Sequence, residues 1–180
     1  SHHPETGISL TFFELTTLIS MMLFQKKESD FGLFEIGLGG RLDAVNAHPV
    51  AHTTIMTSIG YDHQAYLGDT LEEITREKAA IAKPESTFWV GQQSYREVDI
   101  LVENEFPQSK RFKDISDPIS APWRHRSSFS PWCTINWDHM ALAVEVSAQI
   151  LGETFRPELA YQACQNVRWP GRFDQRTCSW

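Results

Sequence analysis

Three short apolar runs, set between stretches patterned for helices, constrain this chain more than any other feature. "FGLFEIG" at 31–37, "HTTIMTSIG" at 52–60 and "STFWVG" at 86–91 carry the aromatic and β-branched residues that suit buried strands. Residues 11–26 place Phe12, Leu15, Ile19, Met22 and Leu23 on one face at steps of three and four, which predicts a helix with a broad apolar side. Residues 70–83 open on Thr70 with Glu73 three positions later, the spacing of a capping box, and stop at Pro84. Strands that alternate with helices predict a mainly parallel sheet with helices packed against it, an α/β protein.

Beyond residue 91 the pattern weakens. The stretch 92–135 is aperiodic and, in its second half, rich in Pro and Ser, and is expected to form short strands joined by loops. Periodicity returns at 138–151, where Asp138 is placed to cap a helix and Gly152 to close it. Pro157 is expected to start a further helix that runs to Asn166. The closing "WPGRFDQRTCSW" reads as a loop or linker.

With 180 residues, one domain with a full core is expected. A net charge of −7, with no basic run longer than two, argues against binding to nucleic-acid phosphates. Cys133, Cys164 and Cys178 form an odd set without a C-x-x-C pair, which fits thiols in a reducing cytosol better than a disulfide framework or a zinc site. No apolar run approaches the roughly 20 residues of a membrane span, and "SHHPETG" has no basic, cleavable leader pattern.

In parallel sheets, chemistry gathers just beyond the carboxyl ends of the strands. Glu35 ends the first run and precedes Gly37, Gly39 and Gly40, which allow close backbone approach. It could hold a metal, cap a turn or face solvent. His63, in "GYDHQAYLGDT", follows the second run beside Asp62; it is either a structural imidazole or a metal ligand. Glu35 and His63 together would suit a divalent ion that also takes phosphate oxygens, as Mg²⁺ does. Lys78, in "TREKAAIAK", is either a solvated helix residue or a lysine at the rim of a site.

"EIGLGGRLDAVN", "TSIGYDHQAYLGDTLEEITREKAAI" and "WPGRF", in that order, resemble folylpolyglutamate synthase and dihydrofolate synthase of the Mur ligase superfamily. "ISLTFFELTTL" is similar to the family segment ahead of the first strand. The resemblance is strongest over 8–84 and returns at 139–152 and 167–173. It implies the central ATPase-type domain of a cytoplasmic, usually monomeric ligase of folate and one-carbon metabolism. Such an enzyme uses ATP and Mg²⁺ to activate the carboxylate of dihydropteroate or a folate as an acyl phosphate, which the amine of L-glutamate attacks.

By the same resemblance, Glu35 and His63 are metal ligands, and Lys78 is the lysine carbamylated in this superfamily. Thr11, Phe12, Phe13 and Glu14 form one pterin segment, and Leu42, Asp43 and Ala44 a second. For Phe12, core packing is an equal alternative. Arg172 matches an arginine that reaches nucleotide phosphates, and His139 stands where the family has an adenine-side Asn.

The chain contains neither the family's G-T-N-G-K-G-S phosphate loop nor its D-x-A-H-N-P motif. The expectation is an incomplete central domain over 1–168, with 169–180 as the start of a linker. Alone it is expected to be inactive and marginally stable. A catalytically dead pterin-binding remnant, or the product of a decayed gene, is the alternative.

Overall fold

The computed structural model describes residues 9–112 and 137–167. Its sheet has three parallel strands in the order β1 (Thr53–Met56), β2 (Thr87–Val90) and β3 (Lys110–Arg111). Thr53 lies opposite Thr87 and Met56 opposite Val90, while Trp89 lies opposite Lys110. The expected parallel α/β class is therefore present, built from the second and third apolar runs and a short edge strand.

Helices cover both faces because successive side chains of a strand point to opposite sides. On one face Met56, Phe88 and Val90 pack with Ile74 and Ala79 of α3 (Leu71–Ala79) and with Val98 and Val102 of α4 (Arg96–Glu105). On the other, Ile55 and Trp89 meet Ala141, Leu142, Val144 and Val146 of α5 (Trp137–Leu151), with Cys164 of α6 (Pro157–Asn166) alongside. The Trp89 indole N–H donates to Gln149 Oε1 at 2.7 Å, so the one polar atom of this large ring is satisfied.

Local chemistry sets the helix ends. Thr70 Oγ1 accepts from the Glu73 N–H, and the Glu73 carboxylate accepts from the Thr70 N–H, the capping box expected at α3. The helix is shorter than its pattern. It closes at Ala79 with tight turns, Ile81 N–H to Lys78 O and Ala82 N–H to Ala79 O. Lys83 precedes Pro84, and that position disfavours helical backbone. Asp138 lies inside the first turn of α5 rather than at its cap, and Gly152, at φ +52°, follows the last residue as expected. Pro157 opens α6.

Three expectations need correction. Residues 31–36 form no strand: β1 pairs with β2 on one side only, and without a partner ladder an apolar run has nothing to take its backbone groups. Within 92–112 the structure holds one expected short strand, β3, but also a ten-residue helix, α4, that was not expected. Its inward residues Val98, Leu101 and Val102 do keep helical spacing, Phe106 packs edge-on to Phe88, and an ion pair from Asp99 to Arg111 ties the helix to β3. The third concerns α1 (Phe12–Lys26), which forms as expected but buries only Thr17; Phe12, Ile19, Met22 and Leu23 are exposed.

Candidate functional site

The loop that carries the glycines is built against α3. Gly40 comes so close to the helix end that a Cβ there would stand 2.6 Å from Glu77 O and 2.8 Å from Lys78 O, so only glycine fits. Gly39, at φ +67°, makes the turn that permits the approach. Arg41 then clips the loop in place. Its N–H donates to Glu77 O at 3.1 Å, and its Nε donates to Glu77 Oε2 at 2.9 Å. Further along, the Asn46 amide donates to Ala80 O, and Lys83 Nζ donates to Asn46 O at 2.8 Å.

Asp43 fixes the shape of the loop from inside. Its Oδ2 accepts the N–H groups of Gly37 and Leu38 at 3.1 and 3.0 Å, and its Oδ1 accepts that of Val45 at 2.8 Å. An ionised carboxylate has about four acceptor positions, so one remains. Asp43 also caps the 3₁₀ turn Ala44–Ala47. Leu42 is exposed and Ala44 half-buried. A Cβ on Gly37 would meet the Phe13 ring at 3.2 Å and Asp43 Oδ2 at 3.3 Å. The two segments that the resemblance assigns to a pterin therefore both stand against Gly37.

At the other segment, local bonding occupies the polar residues. Thr11 Oγ1 accepts from the Glu14 N–H, while the Glu14 carboxylate takes the Thr11 N–H at 2.7 Å and the hydroxyl at 2.8 Å. This is a second capping box, and these bonds, the backbone one foremost, hold the Glu14 carboxyl below its ordinary pKa. Phe12 and Phe13 remain exposed.

Glu35 and His63 are both exposed. Glu35 makes no hydrogen bond or ion pair among the described residues. His63 stands at φ +50°, in the left-handed region, ahead of the short helix α2 (Gln64–Leu67). That backbone is costly for a residue with a Cβ and collects at functional sites. Its Nε2 lies 3.6 Å from Asp62 Oδ2, too far for a hydrogen bond, so both ring nitrogens remain open among the described residues. Lys78 is half-buried on α3, and its ammonium has no partner among the described residues.

No three His, Cys, Asp or Glu side chains gather as a metal cage among the described residues. The open carboxylate of Glu35 is the type of donor that Mg²⁺ takes, since that ion binds through one or two carboxylates and fills its shell with water and phosphate oxygens. Glu35 and His63 do not fit a zinc-type or calcium-type cage.

Gln93 is a residue that the sequence reading missed. Its Oε1 accepts the Ile59 N–H at 2.8 Å, and its Nε2 donates to Thr57 O at 3.0 Å and Gly91 O at 2.9 Å. One amide thus joins the loops that leave β1 and β2. Its only sequence signal is its place, just past the carboxyl end of β2 in a glutamine pair. His139 is exposed in the first turn of α5. Arg172, Cys133 and Cys178 lie outside the described residues.

The parallel sheet with helices on both faces is an α/β fold of the Mur ligase type. The apo form of L. casei FPGS superposes with a TM-score of 0.77 over 94% of this chain and 46% of that one, at 21% identity, a likeness in fold. E. coli FolC in complex with DHPP and ADP is 37% identical, with a TM-score of 0.52 over 59% of this chain and 26% of that one. No protein-family model matches the chain.

In sequence, the chain is 46% identical over 85 residues to dihydrofolate synthase/folylpolyglutamate synthase of Escherichia coli K12, 47% of this chain and 20% of that protein. It is 32% identical over 185 aligned positions to the probable dihydrofolate synthetase of Schizosaccharomyces pombe, 93% of this chain and 43% of that protein. The chain belongs to the folylpolyglutamate synthase and dihydrofolate synthase family. It spans between a fifth and under half of these two relatives' lengths.

Proposed function

We propose that these residues serve an ATP-dependent ligase that joins L-glutamate to the carboxylate of dihydropteroate or a folate. The observation that carries the reading is that the Phe13 ring and the Asp43 carboxylate both stand against Gly37, on a loop clasped to the helix that bears Lys78. It makes one surface of two segments that lie 30 residues apart in sequence (43 minus 13).

In the proposed reaction the γ-phosphoryl group of ATP passes to the substrate carboxylate. The glutamate amine then attacks the acyl carbon and expels inorganic phosphate. Glu35 and His63 would hold Mg²⁺, which supplies charge neutralisation for phosphoryl transfer when bound. Lys78, once carbamylated, would offer a carboxylate in place of its ammonium. The exposed rings of Phe12 and Phe13 would face the flat pterin, with Leu42 and Ala44 beside them. Asp43 would accept one ring N–H in its remaining position. Thr11 and Glu14, the remaining residues of that pterin segment, would stand beside these rings while capping α1. His139 and Arg172 are assigned to the nucleotide.

The names of two relatives support the substrate classes, and bound ADP and DHPP in the E. coli structure support the nucleotide and pterin sides. We further propose a cytoplasmic, monomeric protein whose 180 residues are inactive alone, because they include no G-x-x-x-x-G-K-[ST] loop to cradle ATP.

The test is incorporation of radiolabelled glutamate into dihydropteroate and tetrahydrofolate, with and without ATP and Mg²⁺. It is run on the 180-residue chain and on the whole polypeptide that its gene encodes. ATP-dependent incorporation by the whole polypeptide is expected, with loss of turnover in Glu35→Ala and His63→Ala. No incorporation with either acceptor rejects the ligase reading. Near-normal turnover in both variants rejects the metal assignment.

A further inference from the structure

The loop that carries His63 has little packing of its own. Only Ile59 is buried between Thr57 and His63, and Gly60 has open space where its side chain would be. Yet His63 holds a costly left-handed backbone, which persists only where its surroundings enforce it. From outside the loop, the side-chain amide of Gln93 bonds Thr57 O and the Ile59 N–H, on either side of Ser58. The same amide nitrogen is tied to Gly91 O on its own strand end. Gly91 N–H in turn donates to Met56 O at 2.8 Å, so the staple rests on the β1–β2 register. Both donor positions of the amide and one of its two acceptor positions are used, each on a backbone group.

We propose that Gln93 is a positioning residue: its amide transmits the fixed geometry of the β1–β2 ladder to the 57–63 loop and sets where the His63 imidazole stands. The inference rests on the reading of His63 as a metal ligand. A glutamine that merely closed the core would be buried among apolar groups, whereas this one is part-exposed and spends three of its four bonding positions on backbone at the two strand ends. Its reach also matters. Asparagine carries the same amide on a stem one carbon shorter and cannot span both loops.

The experiment titrates Mn²⁺ into the 180-residue chain and reads free Mn²⁺ by electron paramagnetic resonance, with a thermal melt of each variant as the folding control. Gln93→Met and Gln93→Asn are each expected to weaken Mn²⁺ binding roughly tenfold, the size seen when a residue that orients a metal ligand is lost. His63→Ala is expected to weaken it at least as much. The double variant His63→Ala with Gln93→Asn should be no weaker than His63→Ala alone, since both act through one ligand. Amide hydrogen exchange over 57–63 should accelerate in the Gln93 variants while that of β1 holds.

Wild-type affinity in Gln93→Asn, with His63→Ala weakened, overturns the role of Gln93 and leaves the metal reading intact. So does full additivity in the double variant. Unchanged affinity in His63→Ala rejects the metal reading itself. If Gln93→Met fails to melt cooperatively, Gln93→Asn, which keeps the polar groups, decides the matter.

Discussion

Helices α1 and α3 start in the same way and end in different surroundings. Each opens on a Thr-x-x-Glu capping box, Thr11 with Glu14 and Thr70 with Glu73. In nine residues α3 buries Leu71, Ile74, Thr75 and Ala79. In fifteen, α1 buries Thr17, and Phe12 is 83% exposed. The more apolar helix is thus the less buried one. A periodic apolar face records that a helix can be packed; it does not say what packs against it. α1 holds its shape by its cap, by the Phe24–Phe34 edge contact at 5.2 Å and by Phe13 against the glycine loop, at a length where an isolated helix in water is marginal.

The sharpest break in that comparison is a pair of core-type truncations. Ile74 is fully buried, and Ile74→Ala should cost about 3 kcal/mol through lost contacts and the cavity left behind. Leu23→Ala on α1 should stay within about 0.5 kcal/mol, as surface changes do. Urea denaturation of both variants reads the difference. A cost for Leu23→Ala close to that of Ile74→Ala would mean that another surface covers α1 in solution.

A smaller effect separates two glycines of the strand-end loops. Gly40→Ala drives a methyl into two backbone carbonyls of α3 and should cost about 2 kcal/mol, because neither oxygen can move without unwinding the helix end. Gly60 has no neighbour within 4 Å and no positive φ, so Gly60→Ala should be neutral or slightly stabilising. Denaturation midpoints check this directly. Equal costs would show that the clasp between the loop and α3 is not what holds Gly40.

The same contrast explains how much could be read from sequence. The capping box at Thr70, the strands at 53–56 and 87–90, and the glycine loop were legible because each depends on residues within a few positions of one another. The expected strand at 31–37 failed because a strand is half of a pair, and its β-branched and aromatic content cannot supply the other half. α4 was hidden by its brevity: three inward residues in ten positions, followed at once by Pro107, give too little period to separate from a loop. At the site, the sequence named Glu35, His63 and Asp43 but not the bonds that define them. That Asp43 spends three acceptor positions on its own loop, or that Gln93 staples two others, depends on where backbone N–H groups point after folding. No spacing rule encodes that.

The smallest effect tests whether the two caps differ in consequence as their helices differ in packing. The Glu14 and Glu73 carboxyls are both held below their ordinary pKa, chiefly by the backbone N–H of Thr11 and of Thr70. A lowered folded-state pKa means that the charged form is favoured in the folded chain. The stabilisation is therefore complete above the unfolded value, near 4.5, and is lost as the pH falls through the lowered folded value. Glutamine keeps the bonding pattern of the box without a titrating proton. Glu14→Gln and Glu73→Gln should thus flatten the acid limb of a stability profile between pH 6 and 3, each by a modest amount. Where the loss falls should differ. In acid, wild-type α1, with a single buried residue, should show faster amide exchange through its first turns, while α3 stays protected by Ile74 and Ala79 until the sheet itself unfolds. Equal exchange in both helices on acidification would show that α1 is packed as firmly as α3, and would remove the distinction between them.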